Sequence, residues 1–385
     1  MHYQLYIHFP FCKRKCSYCD FCSFSKAENH IEAYCKKLQE ELILIHDNYP
    51  NATLSSIFLG GGTPSIIPLE FIKKLFLCIR ENFNILDDAE ITTEANPGTV
   101  SEKWLTGMKE LGVNRISFGV QAIQSHLLKC IERIHNVSQA EYAIELAKKV
   151  GFKNVSVDLM FGLPNQTENE LLDSIKWAAN QKVQHISCYS LIVEENTKLS
   201  TQIENGSIVT PNDDDAAQMQ ISAINMLDKL GYKQYEISNF SIQGYECKHN
   251  IGYWKGEWYI GVGLSSHSYL KEREDSLIWA NRYANPVEFK EYFDLLNQNK
   301  LPRKISERIT IEESMFEFVM LGLRMNEGID KKIFEKRYKQ KFDDKFQTAI
   351  DKTLKLGMGE NSENIFKLTQ KGSMFQNQVV MIFYN

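Results

Sequence analysis

Six apolar, β-branched runs alternate with helical patterns between residues 3 and 191, and this cadence limits the fold more than any other feature of the chain. The first run, residues 3–9, alternates and is rich in aromatic and β-branched side chains. Others follow at 56–59, 90–93, 115–119, 155–159 and 185–191. Between them lie helical patterns at 28–46, 69–82 and 101–111, one that ends at Val150 behind a Ser138 and Glu141 capping box, and one capped by Thr167 with Glu170. Short connections between such units imply parallel strands and right-handed crossovers.

A doubly wound sheet and a barrel both satisfy that count. The polar and glycine-rich residues decide between them, because they follow each of the first five strands at its C-terminal end. That is the face on which a (β/α) barrel builds its site from several strands. The expected fold is therefore α/β, a partial (β/α)6 TIM-type barrel. An aromatic, glycine-rich segment at 236–300 is expected to complete the barrel domain of 1–235. Residues 301–385, helical and rich in Lys and Glu with short strands at 365–369 and 379–383, suggest a small helical, winged-helix-like domain. Residues 210–230 read as a helix and 235–240 as a β stretch.

The loop after the first strand carries Cys12, Cys16, Cys19 and Cys22. Buried core thiols or disulfides would not need such spacing, and four thiols in one short loop of a large chain argue for a soft metal or an iron–sulfur centre. Three cysteines leave one iron of a four-iron cluster open, whereas an electron carrier normally supplies four. Cys22 is either the fourth ligand or a neighbouring free thiol. Nine cysteines in all, an odd number, fit a reducing compartment, and Cys35 and Cys78 fall at helical core positions. With 43% hydrophobic and 24% charged residues, a formal charge of -5 and scattered basic residues, the chain has no nucleic-acid footprint. No run is long enough for a membrane span and the N-terminus lacks signal-peptide character, so a cytoplasmic location is expected.

Tyr6-Ile7-His8-Phe9-Pro10-Phe11-Cys12, the cysteine spacing, Tyr18 before Cys19, and GGGTPS from Gly60 to Ser65 resemble the radical S-adenosylmethionine (SAM) superfamily. More narrowly they resemble its branch that holds oxygen-independent coproporphyrinogen III dehydrogenase and the heme chaperones. The resemblance implies a [4Fe-4S] cluster on Cys12, Cys16 and Cys19, its open iron chelated by the amine and carboxylate of SAM. One electron then cleaves the sulfonium and releases a 5′-deoxyadenosyl radical. Cys22 is not a ligand on that view.

The resemblance places Gly61, Gly62 and Thr63 against the methionyl end of SAM, where glycines let backbone amides approach a ligand. It gives SAM contacts also to Glu94, Gln121, Arg133 and Asp158, with Tyr6 beside the adenine or cluster and Tyr18 in the cluster loop. Read as residues alone, each is a lone polar group at a strand end, as turn and cap residues are. His249-Asn250-Ile251-Gly252-Tyr253-Trp254 separates the branches: a His among aromatics is commonly a hydrogen-bonded core residue, yet it also suits an axial heme ligand. HNxxYW resembles the chaperone branch, and a start almost directly at the first strand points the same way. The resemblance then implies heme as cargo, an acceptor hemoprotein of the respiratory kind, an electron donor, and membrane contact only through that acceptor. The rival readings are radical decarboxylation of coproporphyrinogen III and a four-cysteine electron carrier.

Overall fold

The computed structural model describes residues 1–271 and 277–384. Six parallel strands, β1 (His2–Phe9), β2 (Thr53–Gly61), β3 (Asn84–Ala95), β4 (Arg115–Gln121), β5 (Asn154–Phe161) and β6 (His185–Ser190), lie side by side in that order. A doubly wound sheet would reverse direction from a central switch point. Sequential order without reversal is the barrel pattern. The connecting helices are α1 (Ile31–Asn48), α2 (Leu69–Asn82), α3 (Glu102–Glu110), α4 (Val137–Lys149) and α5 (Glu168–Asn180). Their apolar faces, such as Leu38, Leu42 and Ile45 on α1, pack on the outward strand residues Leu5, Ile7, Ile57 and Leu59 to form the main core.

The barrel stays open, and each flank is extended differently. Beyond β6 comes an antiparallel hairpin of β7 (Lys233–Glu236) and β8 (Asn239–Ser241), so the β stretch expected at 235–240 is two strands with a turn between them. On the other flank β9 (Tyr259–Val262) pairs parallel with β1, and β10 (His267–Lys271), β11 (Ile278–Ala284) and β12 (Lys304–Thr310) continue it antiparallel to one another.

A buried carboxylate ties this second flank to α1. Glu41 accepts hydrogen bonds from Gly263 N (2.8 Å), Asn285 Nδ2 (2.7 Å) and the Tyr292 hydroxyl (2.6 Å). Burial pushes its carboxyl up to about 7, with the three donors pulling the other way. Tyr34, also on α1, donates to His8 O (2.8 Å), and its hydroxyl accepts from Leu264 N (2.9 Å).

A second core, built from Met315, Val319, Phe334, Phe342, Phe346, Phe366 and Phe383, lies in the C-terminal segment with a sheet of Ile329–Asp330, Ile365–Leu368 and Gly359–Asn361. The strand expected at 379–383 is instead part of a helix, Gln376–Tyr384. Val379, Val380 and Phe383 recur at helical spacing and bury one face, and a short apolar run does not by itself distinguish the two conformations. The cap of α4 also differs. Asn136 accepts from Gln139 N and the Gln139 side chain returns to Asn136 N, so the helix starts before Ser138, and Glu141 accepts instead from Trp177 Nε1 (3.0 Å). Thr167 and Glu170 form the expected box on α5.

Candidate functional site

The chain leaves β1 and enters the cysteine loop under restraint from several sides. Phe11–Cys12 pairs parallel with Phe24–Ser25, which joins the two ends of the loop. Gly62 N donates to Phe9 O and Thr63 N to Phe11 O, both at 2.8 Å, which ties the loop to the end of β2. On the far side Ser17 N donates to Ile131 O (3.3 Å) and Leu199 N to Ser17 O (2.8 Å). Such pinning gives a short, polar loop a fixed shape.

Cys12, Cys16 and Cys19 line one cavity of about 330 Å³ at the C-terminal ends of the strands, together with Tyr18, Gly61, Gly62, Thr63, Glu94, Gln121, Arg133 and Asp158. Cys22 is not in its wall. Burial pushes the Cys12 thiol up and the Cys19 thiol up to about 11. Among the described residues no three His, Cys, Asp or Glu side chains are grouped as a single metal ion requires. Three thiols around one cavity suit a cluster that takes one thiolate per iron.

The rest of the wall has the chemistry of a ligand that is part cation and part carboxylate. Gly62 has no room for a side chain: a Cβ there would lie 2.7 Å from both Phe9 O and Phe11 O. Gly61 sits at φ 103, a left-handed conformation that favours glycine, with the His8 ring against it. Its N–H donates to Glu94 Oε2 (3.2 Å). Burial, and then the neighbouring Asp158, push the Glu94 carboxyl up to about 8. Asp158 accepts from Ser117 Oγ (2.9 Å).

Gln121 is held at φ 70 where the β4–β5 register slips, and its Oε1 accepts from the Tyr189 hydroxyl (3.0 Å). A non-glycine residue in this region costs conformational energy, and such residues gather at ligand sites. The Arg133 guanidinium donates to Gly119 O and lies 3.5 Å from Cys16 Sγ, while its buried Nε has no hydrogen-bond partner among the described residues. A half-buried guanidinium in a cavity wall suits a carboxylate.

Residues 6–178 match the family model of the radical SAM superfamily, and residues 309–375 that of the HemN C-terminal domain. Heme chaperone HemW of Bacillus subtilis is 36% identical over 98% of this chain and 98% of its own length. HemW of Haemophilus influenzae is 32% identical, covering 99% and 97% respectively. The chain belongs to the HemW family. Its fold matches the solved coproporphyrinogen III oxidase HemN of Escherichia coli with a TM-score of 0.83 at 22% identity, over 99% of this chain and 89% of that one.

Two of the residues singled out in the sequence lie outside the thiol-lined cavity of this HemW-family protein. Tyr6 lines a second cavity of about 460 Å³ that shares Asp20, Phe21, Gly61 and Glu94 with the first, and its hydroxyl is 3.0 Å from His8 Nδ1. His249 lies deeper in the barrel. It is 1% exposed, with Nδ1 2.7 Å from Ser56 Oγ, Nε2 3.1 Å from the Tyr253 hydroxyl and its ring 5.0 Å from Phe58. Burial lowers its pKa to about 3. An axial heme ligand needs an open nitrogen facing space. In this structure neither ring nitrogen of His249 faces open space, since each lies at hydrogen-bond distance from a hydroxyl.

What His249 does reach is Tyr253, four residues on along the helix Lys248–Trp254 and part of the second cavity's wall. The sequence reading passed over Tyr189, Ser117 and Asn96, which line or brace the first cavity. Asn96 was within reach of it, since it belongs to the same strand-end phrase as Glu94. Tyr189 points inward by strand alternation, but nothing in the residue itself distinguishes it from core.

Proposed function

We propose that this protein is a heme chaperone: it binds heme, carries a [4Fe-4S] cluster on Cys12, Cys16 and Cys19, binds SAM, and delivers heme to acceptor hemoproteins. The relationship to proteins named heme chaperones, which spans nearly the whole chain, carries the heme part of this reading. Three thiols around one cavity, with Cys22 outside it, support the cluster part.

In this reading the amides of Gly61 and Gly62 border the methionyl end of SAM, and Thr63, whose hydroxyl donates to Cys12 Sγ (3.4 Å), steadies a cluster ligand. Arg133 takes the carboxylate, and Glu94 and Asp158 face the cationic amine or ribose, with Gln121 and Tyr18 completing the wall and Tyr6 behind Gly61. When bound, the cluster supplies an electron to the sulfonium. Acceptor hemoproteins of the respiratory kind are the expected partners, with an electron donor for the cluster. The cytoplasm, where thiols stay reduced, is the expected location. Among the described residues no helix is long and apolar enough to cross a membrane.

HemN has the same fold, so the decisive experiment compares the two activities. Reconstituted protein is incubated anaerobically with reductant, SAM and coproporphyrinogen III, and in parallel titrated with hemin. Stoichiometric hemin binding without porphyrinogen turnover is expected. Robust protoporphyrinogen formation would replace the proposal with the dehydrogenase reading.

A further inference from the structure

We propose that the second cavity is the seat of the heme and that the imidazole of His267 ligates its iron; this rests on the heme-binding function proposed above. The cavity, about 460 Å³, falls within the range of small-molecule sites, roughly 300–1,000 Å³. Tyr6, Phe21, Tyr253 and Tyr259 give it aromatic walls suited to a flat macrocycle, and Phe21 leaves 61% of its surface exposed at the mouth.

Of the imidazoles in or behind this cavity, His267 is the one available to a metal. His8 has Nδ1 at the Tyr6 hydroxyl (3.0 Å) and Nε2 at Cys22 O (2.8 Å). His249 is engaged at both nitrogens. The exposed His267 ring lines the cavity and makes no side-chain hydrogen bond or ring contact among the described residues.

Its backbone, by contrast, is fixed. His267 opens β10 opposite Ala284, and its main chain packs so closely on Gly261 that a side chain there would overlap the His267 carbonyl. The preceding turn is closed by Ser266 Oγ donating to Gly263 O (2.7 Å) and Asn285 N to Ser266 O (2.9 Å). A free ring on a fixed strand is the arrangement an axial ligand needs.

Two further features set the pose. The carboxylate of Asp20 lies on the wall shared with the thiol-lined cavity, so the heme propionates face away from it and toward solvent. Cys22 also lines the cavity, but its thiol is directed at Val287 O, 3.7 Å away.

The test is an anaerobic hemin titration of the full-length, cluster-reconstituted protein, followed by visible absorbance and electron paramagnetic resonance. For His267→Ala and His267→Gln, loss of the histidine-ligated spectrum is expected with a fall in affinity on the order of tenfold or more, the scale on which metal-site partners act. Cluster content should remain unchanged, and added imidazole should restore the spectrum of the alanine variant. A variant that keeps the wild-type spectrum and affinity overturns the assignment, as does loss of ligation in Cys22→Ser with His267 intact. If the wild type binds no hemin, the heme-chaperone reading fails together with this inference.

Discussion

Substituting Gly62 with alanine tests whether the glycine run holds the cysteine loop in place. The new Cβ would sit 2.7 Å from Phe9 O, 2.7 Å from Phe11 O and 2.8 Å from Phe11 N, all backbone, so no side chain can rotate to relieve it. Overpacking costs about 1–3 kcal/mol. The movement that relieves it also opens the Gly62–Phe9 and Thr63–Phe11 hydrogen bonds, each worth about 1 kcal/mol net. The sum, about 3–5 kcal/mol, falls on the backbone that carries Cys12. Gly62→Ala should therefore lower Tm and, after anaerobic reconstitution, bind markedly less iron and sulfide per chain than wild type. Gly98→Ala is the control on the same barrel face, because its Cβ meets nothing closer than 3.4 Å. Equal cluster content and Tm in Gly62→Ala and wild type would refute the view that this close approach shapes the loop.

Alanine at Cys12, Cys16 or Cys19 should abolish cluster assembly, whereas Cys22→Ala should retain wild-type iron content; loss in the latter would make Cys22 a fourth ligand. Glu41 ionises near 4.5 in the unfolded chain and at about 7 when folded, so its contribution to stability is present below about 4.5 and is lost as pH rises through 7. That gap corresponds to about 3 kcal/mol, and Glu41→Gln should flatten the decline in Tm between about pH 5 and 7.5, with an unchanged slope counting against it. Glu94, at about 8, is neutral at pH 7 before SAM binds. A cationic group placed beside it favours the carboxylate, so binding should release a proton and tighten as pH rises toward 8. Calorimetry in buffers of different ionisation enthalpy counts that proton, and a count of zero removes Glu94 as the partner of the cation. His249→Ala should cost about 1–3 kcal/mol by leaving Ser56 and Tyr253 unpaired, while Tyr253→Phe keeps the ring in the cavity wall and should retain hemin affinity.

The barrel was legible because parallel, buried strands write continuous apolar runs with polar residues at one end, as β2 and β5 do. Spacing alone marked the four-thiol loop, and the choice of Cys12, Cys16 and Cys19 over Cys22 came from the family resemblance. Local signals were less secure. At α4 the reciprocal Asn136–Gln139 box forms in place of the expected Ser138 and Glu141 box. The hairpin of β7 and β8 hides in one β-like run because its turn, Ile237 and Ser238, contains no glycine or proline. For His249 the sequence left two roles open, a hydrogen-bonded core residue and an axial heme ligand. A ring that bridges Ser56 and Tyr253 has the same letter as one that binds iron, and the difference lies in partners brought together from distant parts of the chain.

One strand joins the two cavities, and this follows from its position. Alternation along β1 sends Leu5, Ile7 and Phe9 to the helices, while Tyr6 and His8 line the second cavity. The same strand runs on into the loop whose cysteines line the first cavity. The His8 imidazole closes the circuit at Cys22 O (2.8 Å), holding the far end of that loop against the second cavity. A ligand that fixes Cys12, Cys16 and Cys19 also fixes the backbone leading to Phe21 and Cys22, which form part of the second cavity's wall. Residues 8–22 therefore form one continuous segment that contributes to the walls of both cavities.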